Sequence, residues 1–452
     1  MNELIKTFSD YAWGLPLVIL LIGGGLYLLI YSRFLPFRFL GHAIQVLRGK
    51  YDNPEDSGEI SHFKALTTAL SSTIGMGNIA GVAVAISVGG PGAMFWMWVS
   101  AIIGMSTKFF TCSLAVLYRG KDSAGNIQGG PMYFITEGLG KQWKPLAILF
   151  CIFGMIGALP VVNVNQLTQA INDIVLIPYG FEVGLQSNLI LAIILVSITA
   201  LIILGGLKRI SDTASKMVPS MVFLYFILVL FILISNYEVV PKYFMMILTD
   251  AFSAENYKGE PFYGGVLGAL ILLGIRRGAF SNEAGIGTAP MAHGAAKTNE
   301  PIREGLVAML GPAIDTLVIC TLTALAILVT GVWHTTTDNG VSLTASAFSH
   351  TMPVYGKYLL MICVATFSIS SLFSYSYYGT KCLSFLIGAD KKHYYNYIYI
   401  LSIILAATTP FSMMLNLIDG VFALMAIPTM IATLMLAPKV IKEFKDYIHR
   451  MK

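Results

Sequence analysis

The sequence predicts an all-α polytopic membrane protein. It has eleven transmembrane helices, five plus five in inverted repeat, with one extra N-terminal helix. Three observations predict this. Asp, Glu, Lys and Arg make up 12% of the 452 residues and the apolar types 56%, against roughly 25% charged in a soluble domain. Apolar runs of about 20 residues, the length that crosses a bilayer, recur along the whole chain. Two of those runs, in matching positions, are dense in glycine and polar residues. With a mean hydropathy of +0.72, too little charge is present to cover a soluble surface. That excludes a soluble enzyme, a disordered regulator and a protein that reads DNA with a basic face.

The span cores are 13–31, 65–88, 93–116, 146–174, 189–205, 217–235, 264–287, 306–330, 358–387, 395–413 and 416–437. They form one transporter domain over 1–452: an extra helix at 13–31, a first repeat at 65–235 and a second at 264–437. The first run follows MNELIKTFSDYAWG, which lacks a basic n-region, and leads to Arg33 and Arg38 instead of a cleavage site. It is read as a retained span, not a signal peptide. The last two runs divide at the Pro410–Asn416 turn. Cys112, Cys151, Cys320, Cys363 and Cys382 lie in or beside apolar runs without CxxC or Cys/His spacing. They read as small buried side chains.

Lys and Arg orient the chain. Counting the N-terminus as the first connection, the even-numbered connections hold 21 basic residues, Lys452 in the tail included, and the odd-numbered ones four. This places the N-terminus outside and the C-terminus in the cytoplasm of a cell membrane. The net charge of +5 is then an orientation signal, not a nucleic-acid signal.

Span two carries Ser71, Ser72, Thr73, Gly75, Gly77, Asn78 and Gly81 near its middle. Span seven carries Gly274, Arg276, Arg277, Gly278, Ser281, Asn282, Glu283, Gly285 and Gly287. Glycine lowers helix propensity, and irregular backbone at membrane depth must line protein or a wet cavity. Both read as broken helices, each opening a group of five spans. An odd group inverts its successor, the pattern of an inverted-repeat secondary transporter. The competing reading is glycine as a close-packing surface.

A break near Gly75–Gly77 frees backbone groups on both sides. The amides of Met76 and Gly77 would start a half-helix whose positive end suits a carboxylate. Carbonyls from Ser71 to Ile74, completed by hydroxyls and the Asn78 amide, would suit sodium. In span seven the expected break is Gly274–Gly278. Arg276 and Arg277 are expected to reach a vestibule or to pair with an acid, Glu283 or Asp315; a substrate-binding role stays open. Gln166 gives span four a polar patch with Asn163, Asn165 and Thr168, and Ser368, Ser370, Ser371 and Ser374 give span nine another. No Walker loop, GxSxG, HExxH or Rossmann fingerprint is present, so no catalytic set and no ATP site are visible and an ion gradient must drive any transport.

The chain resembles the sodium:alanine (alanine or glycine:cation) symporter family across nearly its whole length. The motifs are GMGNIAGVAVAI with GGPGAMFWMW at 75–98, TKF at 107–109, GGPMYFI at 129–135 and LGGLKRI at 204–210. Two more are GIRRGAFSNEAGIGTAPMAHGAAKT at 274–298 and MLGPAIDTLVICTLTAL at 309–325. The resemblance implies the leucine-transporter-like fold and sodium-coupled import of a small neutral amino acid: alanine, glycine, or a similar one such as serine or glutamine. It implies a substrate site at Thr73, Gly75, Met76, Gly77, Gln166, Gly274, Gly278 and Tyr375. The carboxylate would lie on the amides of Met76 and Gly77. Sodium would be held by Ser71, Ile74, Asn78, Ser370 and Ser371. No other cofactor is implied.

The sequence departs from the family pattern in places. Met76 stands where Thr is usual, Thr111 and Thr380 where Glu is, Tyr375 where Trp is and Ser374 where Gly is. Met76 and Tyr375 bear on substrate identity; coupling rests mainly on backbone. Two alternatives stand beside this reading. One is proton coupling on the same fold, with Glu283 or Lys216 titrating. The other is an amino-acid sensor, disfavoured by the lack of an appended signalling domain.

Overall fold

The computed structural model describes residues 2–261, 264–336 and 338–451; Lys452 of the basic tail lies outside the described residues. The chain is almost wholly helical. An amphipathic helix α1 (Asn2–Ala12) meets α2 (Leu15–Tyr31) at 44°. The next pair, α3 (His62–Thr73) and α4 (Gly77–Gly89), bends by 53°. Then come α5 (Gly92–Leu117), α6 (Lys144–Gly157), α7 (Val161–Ile171), α8 (Leu185–Ile203) and α9 (Gly206–Ser235). The second half holds α10 (Gly265–Asn282), α11 (Ala289–His293), α12 (Pro301–Val329), α13 (Val341–Thr351), α14 (Gly356–Ile387), α15 (Tyr394–Thr408) and α16 (Phe411–Met451).

Among the described residues, seven helices are long and apolar enough to cross a membrane, or nine if each bent pair counts as one span. Each expected run coincides with a helix or a helix pair. The run 146–174 is α6 and α7, interrupted at Pro160, whose missing N–H breaks the ladder. The last two runs divide at Thr409–Pro410, slightly before the expected turn. Exposed Ile190, Ile194, Phe223 and Phe231 cover the outward faces of α8 and α9, a surface suited to lipid and costly in water. The five cysteines are buried and free.

Ser61 starts α3 by accepting the Lys64 N–H at 3.3 Å. At the same end of the molecule, buried Glu304 of α12 is shared by His62 of α3 and His293 of α11. Arg119 donates to the carbonyls of Gly294 at 2.9 Å and Thr298 at 2.8 Å, and also to that of Ala296. These contacts tie α3 and α11 together. α5 is the central strut: α10 and α12 both pack along it.

Candidate functional site

At the first break α3 ends on Thr73, Ile74 leaves the helix at φ −76°, ψ 85°, and α4 begins at Gly77. The freed amides are taken by side chains. The Gly75 N–H donates to Asn78 Oδ1 at 3.0 Å, and the Met76 N–H to Asn163 Oδ1 at 3.1 Å. Gly75 is closely packed: a Cβ there would lie 2.6 Å from Ser371 Oγ and 2.9 Å from Asn163 Oδ1, so both side chains would have to turn away. Gly77 is not, since its Cβ would meet Phe280 at an ordinary 3.5 Å.

A cavity of about 20 Å³ opens on this break. Five of the expected substrate residues line it: Thr73, Gly75, Met76, Gly77 and Tyr375, joined by Ser72, Asn163 and Phe280. It has room for a water molecule or two, so anything larger enters only as lining side chains move.

The structure places three expected substrate residues elsewhere. Gln166 is fully buried away from the cavity. Its Oε1 accepts the Val341 N–H at 3.2 Å, and its Nε2 donates to Gln169 at 2.7 Å, so it fastens the start of α13. Asn163, one turn earlier on the same polar patch, reaches the cavity instead. Gly274 and Gly278 are not a break: α10 runs unbroken through them to Asn282. They let α10 approach α5. A Cβ at Gly274 would lie 2.6 Å from the Ala93 carbonyl oxygen, and one at Gly278 2.8 Å from Ser100 Cβ. This is small-residue packing between helices.

The second break lies further on. Glu283 ends α10 in the left-handed region at φ 53°, and Gly285 and Gly287 follow at φ 84° and 109°, before α11. A left-handed non-glycine residue is uncommon and is held by its surroundings. Here the buried Glu283 carboxylate accepts the hydroxyls of Tyr375 and Thr288. Asn282 Oδ1 accepts the Ala284 N–H at 3.0 Å. Tyr375 therefore joins the cavity wall to the second break.

The expected sodium ligands divide. Ser71 Oγ donates to the Ser370 carbonyl at 2.7 Å and accepts from Ser374 Oγ at 3.0 Å. Ser370 and Ser371 donate to the Phe367 carbonyl at 2.9 and 3.0 Å. Ser71, Ile74, Ser370 and Ser371 are all fully buried. This is a set of neutral oxygens, the donor chemistry a hard monovalent cation takes. Asn78 stands apart from it. Its Nδ2 donates to Asp315 Oδ1 at 2.7 Å, and Asp315 also accepts Ser281 and Thr316 at 2.7 Å each. Asn78 braces the break against α12.

Arg276 and Arg277 do pair with an acid, but with neither Glu283 nor Asp315. Both bind buried Asp419 of α16, Arg276 Nε at 3.0 Å. Arg276 also reaches Asp10 at 3.3 Å, and Trp13 Nε1 donates to the Asp419 carbonyl at 2.9 Å. The pair fastens α10 to α16 and to the N-terminal helices.

A broken apolar helix opening on a small buried pocket, in a bundle of long apolar helices, is the pattern of a membrane transporter. The chain belongs to the sodium:alanine symporter family, which it matches over residues 1–452. It is 38% identical over 450 residues to the sodium/alanine symporter AgcS of Methanococcus maripaludis, covering 98% of this chain and 97% of that relative. It is 38% identical over 463 residues to an uncharacterized transporter of Haemophilus influenzae, covering 100% and 97%. It is 34% identical over 455 residues to the probable sodium/glutamine symporter GlnT of Bacillus subtilis, covering 100% and 92%. Its fold is similar to that of MhsT, solved in complex with L-phenylalanine. That match has a TM-score of 0.59 and 13% identity, over 86% of this chain and 99% of the other.

Proposed function

We propose that this chain imports a small neutral amino acid, alanine, glycine, serine or glutamine, together with sodium, by alternating access around the two breaks. The observation that carries this is the Met76 amide, held by Asn163 at the mouth of the cavity, beside a buried shell of serine oxygens. A substrate carboxylate takes the Met76 and Gly77 amides at the positive end of α4. Asn163 gives up its bond there and turns its Nδ2 to the same carboxylate. The carbonyls of Ser71 and Ile74, with the hydroxyls of Ser370 and Ser371, hold sodium. The ion supplies the coupling charge that this neutral pocket lacks. Met76, Phe280 and Tyr375 bound the side-chain end and set its size. The names of the relatives, sodium/alanine and sodium/glutamine, agree with a small neutral side chain.

The architecture follows the same reading. Eleven spans cross the membrane with the N-terminus outside, α10 and α11 counting as one broken span and α15 as the short tenth. The two five-span groups, 65–235 and 264–437, are inverted repeats, and each begins with its broken helix. Purified full-length protein in liposomes tests the function. Uptake of the labelled amino acids should require an inward sodium gradient. Uptake indifferent to sodium and driven by a proton gradient would instead favour a second reading. In that reading Glu283, buried between Tyr375 and Thr288, carries the coupled charge.

A further inference from the structure

A second cavity lies along α14. Tyr375 lines the first cavity, and the Tyr378 hydroxyl is 3.2 Å from Ser72 Oγ. Lys381 follows Tyr375 by six residues, about 9 Å of helix, toward the end that carries Lys391 and Lys392. There it borders a cavity of about 370 Å³, within the size range of small-molecule sites. Ile203 and Leu207 give it an apolar side. Its charged lining has both signs: Lys381 and Lys392 against Glu59 and Asp122. Lys381 is only 6% exposed. Its ammonium donates to the carbonyls of Gly129 and Met291, each at 2.9 Å. An ammonium has three donors, and among the described residues these are its two hydrogen bonds. Glu59 and Lys392 are exposed and also border a wider cavity of about 450 Å³, so the site communicates with the aqueous face.

A lone anion in this cavity would meet Glu59 and Asp122, and a lone cation would meet the two lysines. A ligand carrying both charges can set each against a lining group of opposite sign. We propose that this cavity is a second site for the transported α-amino acid as a zwitterion, visited between the central pocket and the aqueous face. Lys381 takes the carboxylate and Glu59 the amino group, while the Asp122 carboxylate, which already accepts from Ala124, Asn126 and Gln128, adds negative charge beside it. This rests on the reading that the substrate is an amino acid. Its two charges need partners as it leaves water for the buried path, and this cavity, bordered by buried Lys381 and exposed Glu59, supplies one of each sign.

Wild-type uptake of radiolabelled alanine, glycine, serine and glutamine into liposomes is measured first; no uptake of any of them would contradict the amino-acid reading itself. Equilibrium binding of the transported one to full-length protein in nanodiscs then tests the second site. The expected result is two molecules per chain at saturation. Lys381→Met and Glu59→Gln should each weaken one of the two at least tenfold, and Gly75→Ala should remove the other. One molecule per chain in wild type, with binding unchanged in Glu59→Gln, would overturn the second site while leaving the central reading intact. Lys381→Met also strips the Gly129 and Met291 carbonyls of a donor. If it fails to fold, Glu59→Gln, a change at an exposed position, decides.

Discussion

At the first break the backbone leaves the helix at Ile74 with an ordinary negative φ, and Asn78 and Asn163 take the freed amides. At the second, Glu283 is turned into the left-handed region and held by Tyr375 and Thr288. The first presents neutral donors and small residues to a cavity. The second presents a buried carboxylate that reaches the cavity only through Tyr375. In the proposed function, binding and ion coupling fall to the first break, and the second closes the pocket behind a tyrosine. Glycines serve differently as well. At Gly75 the missing Cβ makes room for Ser371 and Asn163, whereas at Gly274 and Gly278 it makes room for a neighbouring helix.

The largest expected effect separates these uses of glycine. Gly75→Ala should abolish uptake at normal surface expression, because its Cβ collides with Ser371 Oγ. Gly77→Ala, with ordinary contact only, should keep uptake within about threefold. Equal loss in both would erase the distinction. Gly278→Ala should overpack the α5 contact and cost about 1–3 kcal/mol of stability. That loss is read as a lower melting temperature, with substrate affinity unchanged in the folded fraction.

Next comes the link between the breaks. Tyr375→Phe removes a hydrogen bond to a buried carboxylate, about 1.5–3 kcal/mol. It should raise the concentration for half-maximal uptake roughly tenfold or more. Wild-type values would mean that the second break holds without the pocket wall. The smallest effect discriminates within α7. Asn163→Ala should weaken substrate binding about tenfold, one hydrogen bond to a carboxylate. Gln166→Ala should leave binding within about twofold and lower only stability, since its partner is the start of α13.

Much of this was legible in the residues. Hydrophobic length located the long apolar helices but not the short α11 and α13, and the cluster of small and polar residues from Ser71 to Asn78 located the first break. Span seven misled because glycine density has two physical meanings. Close packing left α10 continuous through Gly274–Gly278, and the true break was marked by Glu283, whose positive φ leaves no trace in composition. On α7 the polar patch was visible, but choosing Asn163 over Gln166 needs the rotation of the helix, one turn of which decides which side chain meets the cavity. The partner of Arg276 and Arg277 lies 143 and 142 residues away at Asp419, while Glu283 is near in sequence and faces elsewhere. Spacing does not report such pairings. Asn78 looked like an ion ligand because it is an oxygen donor at the break; its bonds to Asp315 and to the Gly75 amide set it as a brace.

The most direct test of a sodium-coupled pocket at the first break is equilibrium binding of radiolabelled alanine and glutamine, with sodium or with choline as the cation. In wild type, sodium should tighten binding of the preferred substrate at least tenfold. Unlabelled small neutral amino acids should compete, and Ser371→Ala should demand more sodium for the same occupancy. Equal binding in sodium and choline, unchanged by Ser371→Ala, would contradict the assignment.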